Sequence, residues 1–170
     1  MMLYLVACAA PPVRDLTTAV NLLREREWDV CVVPTPTAST WIDCGVLADL
    51  TGHPVHSALR HPDDTASLPR ADAVLVVPAT FNTINKWVTG ISDTFALGIL
   101  NESIGLGLPV HVAPYAKATL AAHPGFGENL AKLASWGVTV LPNELIRPPT
   151  KGQPFLWQRL MDALPVGAGG

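Results

Sequence analysis

The chain has 170 residues, 49% of them hydrophobic and only 15% charged. That length fits one domain and buries roughly 70% of the surface an unfolded chain exposes, so neither metal nor disulfide staple is needed. The apolar fraction excludes disorder, and a formal charge of −3 with no basic run excludes nucleic acid as an expected partner.

The apolar opening, Met1 to Ala10, is too short to span a bilayer and stops at Pro11-Pro12. It lacks the basic n-region of a signal peptide, so it reads as a buried first strand over Leu3–Cys8. No membrane partner and a cytoplasmic location are expected. Three cysteines, Cys8, Cys31 and Cys44, are an odd number without CxxC spacing. That pattern predicts neither a disulfide framework nor a zinc site.

Asp15–Glu27 carries Leu16, Val20 and Leu23 at helical spacing and ends in charged residues. Val30–Val33 is a β-branched run stopped by Pro34. Trp41–Leu50 predicts a second helix, ended by Gly52 and Pro54. Ala71–Val77 is the strongest strand, a continuous apolar run suited to the centre of a parallel sheet. A helical stretch over Asn82–Ile104 follows, with Gly90 and Gly98 as its weak points. Val110–Ala113 and Val138–Leu141 are short strands flanking a helix at Asn129–Trp136. Alternating strands and helices predict an α/β, three-layer, Rossmann- or flavodoxin-like domain with a mostly parallel sheet, spanning residues 1–146. Residues 147–170 read as a proline-rich loop, a short amphipathic helix over Phe155–Leu164 and a flexible glycine-rich tail.

In an open parallel sheet, ligands bind beyond the carboxyl ends of the strands. The loops after Cys8, Val33, Val77 and Ala113 are therefore the places for chemistry. Ala9 and Ala10 stand where a dinucleotide fold would carry GxGxxG, and no P-loop lysine is present. Thr35, Thr37, Ser39 and Thr40 cluster at a helix start, which suits either a phosphate or plain N-capping. After the central strand comes Pro78-Ala79-Thr80-Phe81-Asn82-Thr83, followed by Lys86, Gly90, Ile91 and Asp93. Small Ala79 permits close approach of a flat ring, and Asn82 and Thr83 place polar groups at a helix start.

Pro78–Thr83 resembles the PASANT motif of the homo-oligomeric flavin-containing cysteine decarboxylases. This family includes phosphopantothenoylcysteine decarboxylase and the peptidyl-cysteine decarboxylases of lantibiotic biosynthesis. Asn85–Asp93 resembles the family's K-x-x-x-G-I-x-D continuation, and Pro34–Ile42 its T-x-x-A-x-x-F-I stretch. His123-Pro124, Glu128-Asn129-Leu130 and Trp136-Gly137-Val138 resemble the segment after the substrate clamp. The likeness covers about residues 2–142.

The resemblance implies FMN as cofactor. It places Thr35, Ser39 and Thr40 near the phosphate, and Ala9, Ala10, Ala79, Thr80, Phe81, Asn82, Thr83 and Asp93 around the flavin. It implies flavin-dependent oxidation of a cysteine-like thiol or peptidyl cysteine, loss of the carboxylate as carbon dioxide, and an enethiol product. It further implies a homo-oligomer of trimeric building blocks, to which the apolar surplus, including Trp41 and Trp87 near the site, is expected to contribute.

Two positions depart from the family pattern. Asp64 stands where the family has a histidine, eight residues before Asp72, and His61 is the nearest histidine upstream. In the clamp segment Pro114–Ala121, Lys117 replaces an asparagine, and the Met and Trp of the family are missing. His61, Asn82 and Lys117 are the candidate catalytic residues. A lysine meets a carboxylate as a point charge, without the amide's donor–acceptor pair. Two alternatives stay open: an FMN-binding carrier, regulator or partner subunit, and a flavin prenyltransferase-like protein. No basic run marks a pocket for the second phosphate that the latter requires.

Overall fold

Five strands form one all-parallel sheet in the order β2-β1-β3-β4-β5. The computed structural model describes residues 1–59, 63 and 68–164. The strands are β1 (Met2–Ala7), β2 (Asp29–Pro34), β3 (Ala73–Ala79), β4 (Val110–Pro114) and β5 (Thr139–Val140). Every residue of β1 and β3 is buried, as expected for central strands covered on both faces. Alternation then divides them between two cores. Leu3, Leu5 and Ala7 of β1 join Ala73, Leu75 and Val77 of β3 on one face. Tyr4 and Val6 join Val74 and Val76 on the other.

The first core is closed by α1 (Leu16–Glu25), through Leu16, Ala19, Val20 and Leu23, and by α2 (Pro36–Ser39) and α3 (Cys44–Thr51), through Ala38 and Leu47. The second is closed by α4 (Phe81–Val88), α5 (Phe95–Gly105) and, beyond the short α6 (Ala118–Ala121), α7 (Pro124–Ser135). The final helix, α8 (Trp157–Asp162), returns to the first core and buries Trp157, Leu160 and Met161. Trp157 Nε1 donates to Asp15 Oδ2 at 3.0 Å, tying α8 to the start of α1.

The expected elements are present with different limits. The stretch over Asn82–Ile104 is two helices, α4 and α5, because the chain turns at Gly90 with φ +73°. Gly98 sits inside α5 and breaks nothing. The expected helix at Trp41 begins at Cys44, where the Asp43 side chain accepts from Val46 N at 3.0 Å. Gly52 ends it with φ +74°. The helix expected at Asn129 starts at Pro124, a first-turn proline. Trp87 is a fully buried core residue rather than a neighbour of the site. The glycine-rich tail over residues 167–170, expected to be flexible, lies outside the described residues.

Candidate functional site

The strand order reverses between β1 and β3, so the loops leaving them diverge and open a crevice at their carboxyl ends. A cleft of about 1150 Å³ lies there. Its floor is Ala9, Ala10 and Pro11 after β1 and Thr80, Phe81 and Asn82 after β3. Trp41 stands at its edge, 47% exposed. Tyr115, Ala116, Lys117 and Leu120 after β4 form the opposite side, completed by Arg147–Pro149, Lys151–Gln153 and Phe155.

Local chemistry explains the floor. Cys8 N donates to the Pro78 carbonyl at 2.9 Å, which joins the two loops at their roots. Thr80 caps α4 by accepting from Thr83 N at 3.4 Å, and its hydroxyl donates to Thr83 Oγ1 at 3.1 Å. The first N–H groups of a helix have no acceptor within it, so those of Phe81 and Asn82 open toward the cleft. The Asn82 side chain is exposed and makes no hydrogen bond among the described residues, with a full donor and acceptor set to offer. Beneath it, burial pushes the Cys8 thiol up, partly offset by hydrogen bonds with Thr83 and Thr80. Cys8 is therefore a neutral small hydrophobe under the site, not a nucleophile.

The far wall is built around Arg147. Its Nη2 donates to the Ala116 carbonyl at 2.9 Å. Its guanidinium lies over the Tyr115 ring, 4.1 Å from the centroid. Its Nε donates to Asn143 Oδ1 at 3.3 Å. Leu156 N donates to the Ile146 carbonyl at 2.9 Å and closes residues 147–155 into a compact loop. Phe155 meets the Tyr115 ring edge-on at 6.1 Å between centroids. Lys117, Arg147 and Lys151 thus share one wall, and no Asp or Glu lines the cleft among the described residues.

Of the residues singled out from the sequence, Ala9, Ala10, Thr80, Phe81, Asn82 and Lys117 line this cleft. Ala79 is fully buried behind it, and Thr83 is buried in α4. Asp93 pairs with Lys86 across the turn between α4 and α5, at 2.5 Å and away from the cleft. The hydroxyl cluster is occupied locally. Thr35 accepts from Ala38 N, Ser39 donates to the Pro36 carbonyl, and Thr40 donates to the Thr37 carbonyl. Thr40 does border a shallower recess of about 460 Å³ with Pro11, Arg14 and Trp41, contiguous with the cleft through Pro11 and Trp41. His61 lies outside the described residues.

The sequence reading found no basic pocket, and here it is corrected. The cations come from two separate segments, Lys117 after β4 and the Arg147–Lys151 loop, so no run could reveal them. Arg147 and Lys151 were missed altogether, because they lie beyond the stretch that carries the family resemblance.

The fold and cleft define a doubly wound α/β protein with an open cleft at the switch point. The family model described as Flavoprotein matches residues 4–164, and the chain belongs to that family. A curated relative, the coenzyme A biosynthesis bifunctional protein CoaBC of Thermococcus kodakarensis, is 36% identical over 93 residues. The match covers 55% of this chain and 22% of that one, so the chain spans about a fifth of that relative's length. Among solved structures, the FMN-dependent cysteine decarboxylase SpaF superposes with a TM-score of 0.71 at 21% identity, covering 91% of this chain and 87% of its own. A dodecameric FMN-dependent Ubix-like decarboxylase from Escherichia coli O157:H7 gives 0.71 at 18% identity, covering 95% and 88%. At these identities the likeness is one of fold. Among the described residues no helix is long and apolar enough to cross a membrane.

Proposed function

We propose that the chain binds FMN in the cleft at the β1–β3 switch point and is a flavin-dependent decarboxylase of a cysteine-like thiol or peptidyl cysteine. One observation carries the reading: the Thr80–Asn82 turn of the family-like motif forms the floor of the cleft of about 1150 Å³, beside the small residues Ala9 and Ala10. The residues fit the group. Two alanines leave room for a flat ring, the Trp41 indole gives it an aromatic edge, and Asn82 offers a free amide to its polar rim. Family membership, the SpaF fold and the CoaBC relative support both the cofactor and an enzymatic role.

Bound FMN supplies two-electron oxidation of the thiol substrate. The chain's own part is to orient and to exclude water. The Phe81–Asn82 helix start presents N–H groups, Tyr115 and Phe155 shield one side, and Lys117 meets a carboxylate as a point charge. His61 is the proposed base; its role requires hydrogen-bond reach to the departing proton. The Thr35, Ser39 and Thr40 cluster is proposed for the cofactor phosphate, which would replace its present local hydrogen bonds.

Purified protein is expected to be yellow and to release the mononucleotide on extraction. Incubation with cysteine-ended peptides or phosphopantothenoylcysteine is expected to give loss of carbon dioxide by mass spectrometry. Colourless protein without FMN affinity in a titration overturns the cofactor assignment. A flavin prenyltransferase-like activity is the second reading, favoured by the cationic wall of Lys117, Arg147 and Lys151. Incubation with a prenyl phosphate, followed by the mass of the extracted flavin, separates the two.

We also propose assembly from trimeric units, supported by the dodecameric structural neighbour and by the exposed Leu106, Ile91 and Trp136. Light scattering that finds only a monomer near 18 kDa refutes it.

A further inference from the structure

We infer that Arg147 is a specificity-determining residue that selects substrates carrying a terminal oxyanion, carboxylate or phosphate, on the wall opposite the flavin. This rests on the decarboxylase reading and gives it a substrate class. Three observations carry it. The cleft, at about 1150 Å³, exceeds the roughly 300–1,000 Å³ of a single small-ligand pocket, which leaves space for a second molecule beside the cofactor. Its cations stand on the β4 and post-β5 side, away from the Ala9–Pro11 and Thr80–Asn82 floor. Arg147 is also held before any ligand arrives. Tyr115 supports its plane, and the Ala116 carbonyl and Asn143 Oδ1 occupy an N–H on Nη2 and the one on Nε.

A guanidinium has five N–H donors in a rigid fork, so among the described residues both N–H groups of Nη1 and one of Nη2 stay free. No carboxylate pairs with Arg147 among the described residues. A fixed, unpaired fork recognises a planar carboxylate or a phosphate face with two parallel hydrogen bonds. Lys117 and Lys151 add charge without that geometry. Since the partly buried Arg147 is already stacked on Tyr115 and supported by two acceptors, little ordering remains to be done on binding.

The test measures dissociation constants by calorimetry, on protein with and without added FMN. One pair of probes is a peptide ending in cysteine with a free carboxylate and the same peptide amidated. The other is phosphopantothenoylcysteine and its form lacking the phosphate. For at least one pair, wild-type protein is expected to prefer the charged member by about 10-fold or more, the scale of a charge-assisted hydrogen bond. The pair that shows the preference identifies carboxylate or phosphate as the group read. Arg147→Gln is expected to erase the preference, and Arg147→Lys to restore part of it. Asn143→Ala, which frees the guanidinium without removing its charge, is expected to reduce the preference.

Absence of any charge preference in the wild type, or its survival in Arg147→Gln, overturns the inference. So does an Arg147→Gln protein that loses affinity for FMN but not for riboflavin, because Arg147 would then hold the cofactor phosphate. Lys117→Gln, at an exposed position, guards against misfolding of the arginine variants and is expected to weaken the preference while leaving the melting temperature unchanged. Wild-type protein with no flavin affinity refutes the flavin reading instead, and the probe titrations without FMN still decide on Arg147.

Discussion

Trp157 and Trp87 are both fully buried tryptophans, and a comparison of the two isolates one hydrogen bond. Trp157 Nε1 donates to Asp15 Oδ2 at 3.0 Å, whereas Trp87 Nε1 is buried with no partner among the described residues. Replacing either by Phe removes the same part of an indole, so the loss of packing largely cancels between them. What differs is polar. Trp157→Phe forfeits a hydrogen bond to a carboxylate, about 1.5–3 kcal/mol, at the lower end here because Asp15 is partly exposed and rehydrates. Trp87→Phe forfeits none and removes an unsatisfied donor, a relief of about 1–3 kcal/mol. Trp157→Phe is therefore expected to be less stable than Trp87→Phe by at least about 2 kcal/mol. For a chain of this size that separates their melting temperatures by roughly 4–8 °C. Urea unfolding followed by far-ultraviolet circular dichroism avoids the altered tryptophan signal. Equal losses, or a larger loss for Trp87→Phe, refute the assignment of stability to the Trp157–Asp15 bond. The same substitution loosens α8, which anchors one end of the 147–155 loop, so the charge preference assigned to Arg147 is expected to weaken with it.

Gly90→Ala is expected to cost about 1 kcal/mol or more in urea unfolding, because φ +73° is unfavourable for any residue with a Cβ. A neutral substitution there means that the α4–α5 turn is not held in that conformation. At pH 8, maleimide labelling is expected to modify Cys44 alone, since Cys8 and Cys31 are buried, and Cys44→Ser is expected to abolish it. Burial pushes the Cys31 thiol from 9.0 up to about 11. The folded state thus holds that proton after the unfolded state has lost it, so its contribution to stability is complete below pH 9 and is lost as pH rises through about 11. The slope is about 1.4 kcal/mol per pH unit between those values. Cys31→Ala should flatten the alkaline limb of the stability curve, and an unchanged limb counts against a buried thiol. Burial lowers the proton affinity of His111, so the reverse holds on the acid side. Its stabilising effect is present above pH 6.5 and is lost as pH falls through the depressed value, which His111→Gln is expected to remove.

The sheet was legible because its signals are local. Val74–Val77 has no polar face to offer, which places it at the centre, and the helix beginning at Leu16 declares its buried side through Leu16, Val20 and Leu23. Helix limits were less legible where single side chains decide them. Asp43 capping Val46 N moves a helix start past Trp41, and Trp41 is thereby freed to stand at the edge of the cleft. Trp87 shows the opposite failure. A tryptophan in a motif-rich stretch reads as part of the site, yet its place on α4, in register with Ile84 and Val88, turns it into the core.

The site divides along the same line. Its floor comes from two turns, Ala9–Pro11 and Thr80–Asn82, whose small and capping residues carry their meaning in the sequence. Its charged wall does not, because no short segment contains it. Lys117 leads α6, while Arg147 and Lys151 belong to a loop whose ends are joined by the Leu156–Ile146 hydrogen bond. That closure depends on Ile146 and Trp157 being buried in the first core, on the side packed by α1 and α8. The orientation of the arginine fork therefore follows from packing that begins at Asp15, far from the cleft in sequence. A change at α8 that preserves every cleft residue should still alter what the cleft selects, and this coupling of distant packing to specificity is what makes Trp157→Phe a functional test as well as a structural one.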